Sequence, residues 1–296
     1  MAHPTQSLSR ALVLGGGGVT GIAWEVGVLS GLSSRGIDWS RAASVIGTSA
    51  GSFVGTAIAS GYDLERLFAS QLVPDENEVD VKASEATMAA WWAALAEGGD
   101  DPRKVGAAMG RISKANPEPV SSATRRQVVT SRLVTTNWPA SLKVTAIDAD
   151  TGELHLFDEH AGVSLTDAVS ASGAVPGVWP LEHFLGRAWV DGGMVSTTNA
   201  RLAAGHDKIV ILAPMPDGYG QIPGAAADAE ALAKQAEVCL VAPDEQSVEA
   251  IGPNLYDPQR RKAAAQAGRA QAESLADRVA LLWSEAAPPA EGTARP

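Results

Sequence analysis

Gly47-Thr48-Ser49-Ala50-Gly51 fits G-x-S-x-G and stands between an apolar run, Ala43 to Ile46, and a helical pattern, Phe53 to Ser60. A strand that turns sharply into a helix forces the middle residue into a strained backbone. It also brings the residues two positions either side together. Glycine at 47 and 51, with alanine at 50, leaves room for that approach. The Ser49 hydroxyl is then presented at the carboxyl edge of a sheet, near the positive end of a helix. This is the setting of a nucleophile for acyl transfer. An ordinary strand-to-helix turn with a serine N-cap has the same letters, so the pattern alone leaves both readings open.

Gly15-Gly16-Gly17-Gly18-Val19-Thr20-Gly21 follows one apolar run and opens a helix. Dinucleotide binding fits the spacing of Gly16, Gly18 and Gly21, but it needs a second strand ending in an acid about 20 residues on. Asp38 has the distance, yet Ser33-Ser34-Arg35-Gly36-Ile37 is no strand. A phosphate loop lacks its lysine, and Thr20 brings no charge. The third reading is an oxyanion hole, with glycine N–H groups aimed at a developing negative oxygen. A nucleophile turn on the adjacent strand favours it, because both loops open at one sheet edge. A loop serving only tight strand–helix packing explains the run as well.

A serine nucleophile needs a base. His3 is in the N-terminal arm, His155 within an expected strand, and His160 beyond the return strand of a hairpin. His206 gives the order Ser49, Asp191, His206, but a helix over Asn199 to Ala204 carries it to the wrong edge. His183, one hairpin before Asp191, stays as a candidate for a Ser-His-Asp triad. Asp191-Gly192-Gly193 follows the apolar run Ala188-Trp189-Val190, which delivers Asp191 to a strand end beside two permissive glycines. In a partly dry site such a carboxylate acquires a raised pKa and acts as base without histidine. A strand-ending Asp-Gly turn is the plainer reading of the same residues.

The elements that must hold these groups come from hydrophobic period. Arg10 to Leu14 reads as a buried strand, Thr20 to Ser34 as a helix, and the strand–turn–helix order then repeats through Ser60. That repetition predicts an α/β fold with a largely parallel sheet. Residues 63–132 lose strand signals and read as a helical cap or insertion, with breaks at Pro102, Pro117 and Pro119. Met88, Trp91, Trp92 and Leu95 share one stripe there, and a buried helical seam explains the spacing in preference to an acyl lid or membrane-touching face. Leu142 to Ala149 and Glu153 to Phe157 form an expected hairpin, which makes the sheet mixed. A helix at Leu165 to Ser172, strands ending at Val190 and spanning Lys208 to Ala213, and a helix at Gly224 to Glu237 come next. Val238 to Ala242 is an expected strand and Pro258 to Ala286 a long amphipathic helix. Residues 8–286 are expected to be one domain, and 287–296 a flexible tail.

Composition narrows the class. Lys plus Arg number 23 against 34 Asp plus Glu, a formal charge of −11, which argues against a general nucleic-acid binder. One cysteine, Cys239, excludes an internal disulfide and a Cys-rich zinc site, and its apolar neighbours predict a buried, inert thiol. No run suits a membrane span, and the N-terminus lacks signal-peptide character, so a cytoplasmic protein is expected. Arg260-Arg261-Lys262 reads as a solvated face. Tryptophan, at 8, outnumbers Phe (4) and Tyr (3) together, and its mixed polarity suits half-wet boundaries.

Taken together, the three loops resemble the patatin-like phospholipase family of lipid acyl hydrolases. Gly16 to Gly21 with Trp24-Glu25-Val26-Gly27-Val28-Leu29 is similar to the family's oxyanion segment, and Gly47 to Gly51 to its nucleophile turn. Leu142 to Phe157, Ser170-Ala171-Ser172-Gly173-Ala174-Val175-Pro176-Gly177 and Asp191-Gly192-Gly193 resemble its later segments in the same order. The resemblance covers about residues 10 to 215, with 63–132 and the last eighty residues matched by no motif. It implies a three-layer α/β sandwich around a mainly parallel sheet and a carboxylic ester hydrolase with no cofactor or metal. It further implies Ser49 as nucleophile, Asp191 as base, and N–H groups of Gly16, Gly17 and Gly18 as oxyanion donors. The substrate would be an acyl lipid or ester, of the phospholipase A, lysophospholipase or esterase type, with transient contact to a membrane or micelle. The family often has Arg or Lys where Thr20 stands, which leaves neutral esters and lysolipids open. The reading from a different class is a non-catalytic or NAD-binding Rossmann-like protein.

Overall fold

A computed structural model describes residues 8–116 and 120–283. His3, Pro117, Pro119, the end of the last expected helix and the expected tail lie outside the described residues. The first half of the chain runs β1 (Arg10–Leu14), α1 (Gly18–Ser33), β2 (Ser44–Gly47), α2 (Ala50–Ala59), α3 (Leu64–Gln71), α4 (Glu85–Gly98), α5 (Pro102–Ala115) and α6 (Ser122–Arg132). It continues with β3 (Leu142–Asp148), β4 (Leu154–Phe157), α7 (Leu165–Ser172), β5 (Glu182–Phe184), β6 (Arg187–Asp191) and β7 (Lys208–Leu212). The last elements are α8 (Ala225–Leu232), β8 (Glu237–Val241), α9 (Glu245–Ile251) and α10 (Arg261–Trp283).

The sheet order is β5-β6-β3-β2-β1-β7-β8, with β4 paired to β3. Strands β8, β7, β1, β2 and β3 are parallel, while β4, β5 and β6 make antiparallel pairs. The sheet is therefore mixed and mostly parallel, as expected. Both faces are covered, which is why β1 and β7 read as unbroken apolar runs. Leu12, Leu14, Val210 and Leu212 point into a core shared with α1, α2 and α10. Their alternates Ala11, Val13, Ile209 and Ile211 point into a second core with Ala200, Ala203 and Leu232. Burying one such Val, Leu or Ile is worth about 1.5–3 kcal/mol, so the central strands are the stable frame of the molecule.

The chain after residue 215 buttresses the site. α10 lies along α1 through small residues, and a Cβ on Gly27 would meet the Ala265 carbonyl oxygen at 2.2 Å. Trp24 Nε1 donates to Gln271 Oε1 at 2.9 Å across the same interface. Among the described residues no helix is long and apolar enough to cross a membrane.

Three boundaries depart from expectation. The expected helix Gly224 to Glu237 stops at Leu232, because Glu237 starts β8 beside Lys208. The helix after the serine turn begins at Ala50, directly after Ser49. Glu245–Ile251 folds as α9, which apolar period alone does not announce in so short a polar segment.

Candidate active site

Ser49 carries φ +51° and ψ −115°, a conformation that side chains rarely adopt. The turn closes tightly around it. A Cβ on Gly47 would lie 2.7 Å from the Gly51 carbonyl oxygen, and one on Gly51 would lie 2.1 Å from that of Leu14. Only glycine fits either place. The strained turn is held from several directions: Ser49 N–H donates to Ser172 Oγ at 2.8 Å, and the Ser52 hydroxyl donates to the Ser49 carbonyl at 2.6 Å.

Asp191 reaches Ser49 by strand geometry. β4 occupies one edge of β3 at Val144 to Ile147, so β2 and β6 share the other edge. β2 ends at Gly47 opposite Val144, and antiparallel β6 ends at Asp191 opposite Ala146. Two strand ends thus meet head to head, two residues apart along β3. A hydroxyl and amide knot fixes the junction. Thr145 Oγ1 donates to Thr48 Oγ1 at 3.0 Å, and Asn199 Nδ2 reaches both Thr48 Oγ1 and the Gly192 carbonyl at 3.0 Å.

Asp191 is 2% exposed, and burial pushes its carboxyl pKa up to about 7. The Gly193 N–H, donated to Oδ1 at 2.6 Å, pulls the other way, as do hydrogen bonding with Ser49 and the charge of Arg125. Burial wins because the loss of water outweighs two hydrogen bonds and one remote cation. The Asp191 N–H is itself held by the Ala174 carbonyl at 3.1 Å, which joins the D-G-G turn to the segment after α7. Arg125 lies beneath that segment, 1% exposed, with Nη2 on the Ser170 carbonyl at 3.2 Å and its guanidinium 4.5 Å from the Trp179 ring centre. Burial, then Arg132, lowers its pKa to about 9.

The glycine loop closes the third side. A Cβ on Gly16 would sit 3.5 Å from that of Ser49. The Gly16 N–H, however, is taken by the Thr197 carbonyl at 2.7 Å, which corrects its expected place among the oxyanion donors. Gly17 is the N-cap of α1 and Gly18 its first residue, positions whose N–H groups have no acceptor within the helix. Glu25 on α1 is fully buried and accepts the Gly15 N–H at 2.9 Å, an N–H that also reaches the Leu212 carbonyl at 3.0 Å. Its pKa is raised well above the usual carboxylate range by burial, against the pull of the Gly15 N–H. Thr20 is also fully buried, with its N–H and hydroxyl donating to the Leu255 carbonyl at 3.1 and 3.3 Å. Thr20 thereby pins the strap Pro253 to Tyr256 over the loop.

A cavity of about 670 Å³ opens above Ser49 and Asp191, lined by Gly16, Gly17, Gly18 and a set of apolar side chains. Of the chain's five methionines, all but Met1 line it: Met88, Met109, Met194 and Met215. Met88, Trp91, Trp92 and Leu95 of α4 form one wall. The expected buried seam is therefore corrected: Leu95 is 7% exposed, but Met88 is 42% and Trp92 62%. The stripe is divided: Leu95 and Trp91 pack with Val105, Ala108 and Met109 of α5, while Met88 and Trp92 border the cavity and remain exposed. Trp91 Nε1 donates to the Pro176 carbonyl at 3.0 Å, tying α4 to the segment that bears on Asp191.

The described histidines lie elsewhere. His183 is exposed on β5 opposite Ala188, three residues or about 10 Å of strand from Asp191, which corrects the triad candidate. His155 packs edge-on to Trp189, 4.9 Å between ring centres, and His160 is beside Glu159. His206 contacts Ser44 Oγ at 3.0 Å, at the start of β2 and away from Ser49. Asp38 caps a short turn by accepting the Ser40 N–H at 3.0 Å, so no acid ends the next strand and the dinucleotide alternative falls. Cys239 is a buried free thiol, as expected. Arg261 is 7% exposed and bonds to Ser70 and Gln71, so the basic cluster is not a purely solvated face.

Residues 12–204 match the family described as Patatin-like phospholipase. The chain belongs to the patatin-like phospholipase family. The mostly parallel, helix-flanked sheet is the patatin-like α/β fold, and membership supports a lipid-hydrolysing enzyme. Among solved structures, VipD from Legionella pneumophila is similar with a TM-score of 0.47 and 16% identity, covering 92% of this chain and 67% of that one. The type III effector ExoU is similar with a TM-score of 0.42 and 15% identity, covering 91% of this chain and 53% of that one. This chain thus spans about half the length of ExoU. No curated protein sequence matches it.

Proposed function

We propose that this patatin-like protein is a serine acyl hydrolase that cleaves lipid esters through a Ser49–Asp191 dyad. The observation that carries the proposal is the meeting of the β2 and β6 ends along β3, which places Ser49 and the buried Asp191 together at the floor of an apolar cavity, where burial raises the Asp191 pKa to about 7. A base is most effective when its pKa lies near the working pH, and here burial supplies what a histidine supplies in other serine hydrolases.

The sequence of steps follows from the chemistry. Asp191 takes the Ser49 proton as Oγ adds to the ester carbonyl, and the N–H groups of Gly17 and Gly18 receive the developing oxyanion. Asp191 then passes the proton to the leaving alkoxide, freeing the alcohol and leaving an acyl-serine. Water enters, gives a proton to Asp191, and attacks the acyl carbon. Collapse releases the fatty acid and returns the proton to Ser49. Thr20 is buried against Leu255 and brings no charge to the oxyanion loop, and the cavity lining is mainly apolar, with Lys82 at its mouth. Neutral esters and lysolipids suit the site accordingly.

A fluorophosphonate probe followed by peptide mapping tests the nucleophile. Labelling of Ser49, with loss of ester hydrolysis in Ser49→Ala and Asp191→Asn, is the expected result. Labelling elsewhere, or unchanged turnover in both variants, would overturn the dyad.

A further inference from the structure

α4 has no polar face. From Ala86 to Ala96 its only polar residue is Thr87, whose hydroxyl is engaged with that of Ser84 at 2.9 Å. Helices on protein surfaces present charges to water, and helices apolar all round are normally buried. α4 is neither. Leu95 and Ala94 turn inward, while Ala86, Met88, Ala89, Trp92, Ala93 and Ala96 are exposed. The nearest acids on the helix, Glu85 and Glu97, mark its two ends.

The inner side of this helix walls the cavity above Ser49, and Trp92 and Met88 belong to both that wall and the outer surface. Exposed apolar surface is thus continuous with the lining of the proposed acyl site. We propose that α4 docks the protein on a lipid surface, with Trp92 and Met88 entering the boundary between head groups and acyl chains. This rests on the acyl-hydrolase reading above. A lipid layer is the occupant that fits: an acyl chain entering there passes from one apolar medium to another without crossing water. Tryptophan favours the interface because its N–H stays near the head groups while its ring is buried. Lys82, at the cavity mouth, has a stem long enough to lie on the layer and a charge that remains in water. The net charge of −11 opposes attraction to anionic bilayers, so the contact is apolar and weakly salt-dependent.

The test separates docking from chemistry. Ala89 and Ala93 are exposed and do not line the cavity, and glutamate is a good helix former, so the double variant Ala89→Glu/Ala93→Glu charges only the outer face. Co-sedimentation with phosphatidylcholine vesicles is measured in the Ser49→Ala background, where turnover plays no part. Binding should survive a rise in salt from about 0.05 to about 0.5 M and fall at least about tenfold in the double variant. In the Ser49-intact protein, the double variant should hydrolyse a soluble short-chain ester at the original rate and lose activity on vesicles. Absent vesicle binding, or binding abolished by salt and indifferent to the glutamates, would overturn the proposal. So would a dimer in sedimentation equilibrium that the glutamates convert to monomer, since a second copy would then cover the face. Vesicle binding that persists while Ser49 proves unreactive would sink the acyl-hydrolase reading and leave the docking face standing.

Discussion

The hydroxyl of Ser172 accepts the backbone N–H of Ser49 at 2.8 Å, so the last residue of α7 holds the proposed nucleophile in its strained conformation. Removing that acceptor leaves a buried N–H unpaired, at a cost of about 1–3 kcal/mol, in a turn already under strain. Ser172→Ala is expected to lower kcat on the order of tenfold to a hundredfold with KM little changed, because small misplacements of a nucleophile are expensive. Steady-state kinetics on a soluble ester, alongside a thermal melt, would check this. A variant with normal kcat would show that the other contacts suffice to hold the turn.

With a pKa of about 7, Asp191 loses its proton as pH rises through neutrality, and only the unprotonated form can act as base. The expected profile of kcat/KM therefore climbs from acid to a plateau with an apparent pKa near 7. Arg125 pulls that pKa down, so Arg125→Met should move the acid limb to higher pH. A profile still rising with a pKa near 4 would mean that Asp191 is far better solvated than its surroundings allow.

The same burial carries a stability consequence. An unfolded aspartate has a pKa of about 3.9, and the folded value lies above it, so the native state holds the proton more tightly. The wild type is consequently penalised as pH rises above about 4, at about 1.4 kcal/mol per unit, until ionisation in the native state near pH 7. Asp191→Asn escapes this penalty while keeping an acceptor for the Gly193 N–H. Its gain over wild type should be near zero at pH 4, grow towards pH 7, and level off at roughly 4 kcal/mol or less. Less is expected because Arg125 loses a counter-charge. Urea melts across that range would reveal it, and a less stable Asn variant at pH 8 would contradict it.

What the residues disclosed was local. β1, β2 and the glycines around them are readable because a strand buried on both faces and a tight turn each leave a mark over five or six adjacent positions. The meeting of β2 and β6 along β3 leaves none, since it depends on an antiparallel strand about 140 residues away landing on the same edge. The four cavity methionines, at 88, 109, 194 and 215, have no common period either, because four separate segments bring them together. On α4 the spacing does not separate Leu95, packed in the core with α5, from Met88 and Trp92 at the cavity, because a stripe facing a cavity and a stripe facing a core share one period. Nothing in the glycine run distinguishes Gly16 from its neighbours; the Thr197 carbonyl, from the far side of the D-G-G turn, takes its N–H.

Glu25 stands as an acid inside the apolar run Trp24 to Leu29. It is fully buried, and its Oε1 holds the Gly15 N–H at 2.9 Å, one residue before the glycines nearest Ser49. The same N–H also reaches the Leu212 carbonyl at 3.0 Å, so Glu25 and β7 together hold the loop, and the expected role of Glu25 is to help place Gly17 and Gly18 without touching substrate. Glu25→Gln retains the accepting oxygen and should keep kcat within about threefold, since neutral and ionised acceptors differ modestly in strength. Glu25→Leu keeps the volume but not the acceptor. It should lower kcat by on the order of a hundredfold, the scale for disturbing oxyanion donors, with little change in KM. Burial also raises the Glu25 pKa, so the wild type is destabilised as pH rises above the unfolded value of about 4.3, and the Gln variant should gain stability there. Equal kcat in the Leu variant and wild type would deny the positioning role. Equal losses in Gln and Leu would instead assign Glu25 a function that needs its charge or proton.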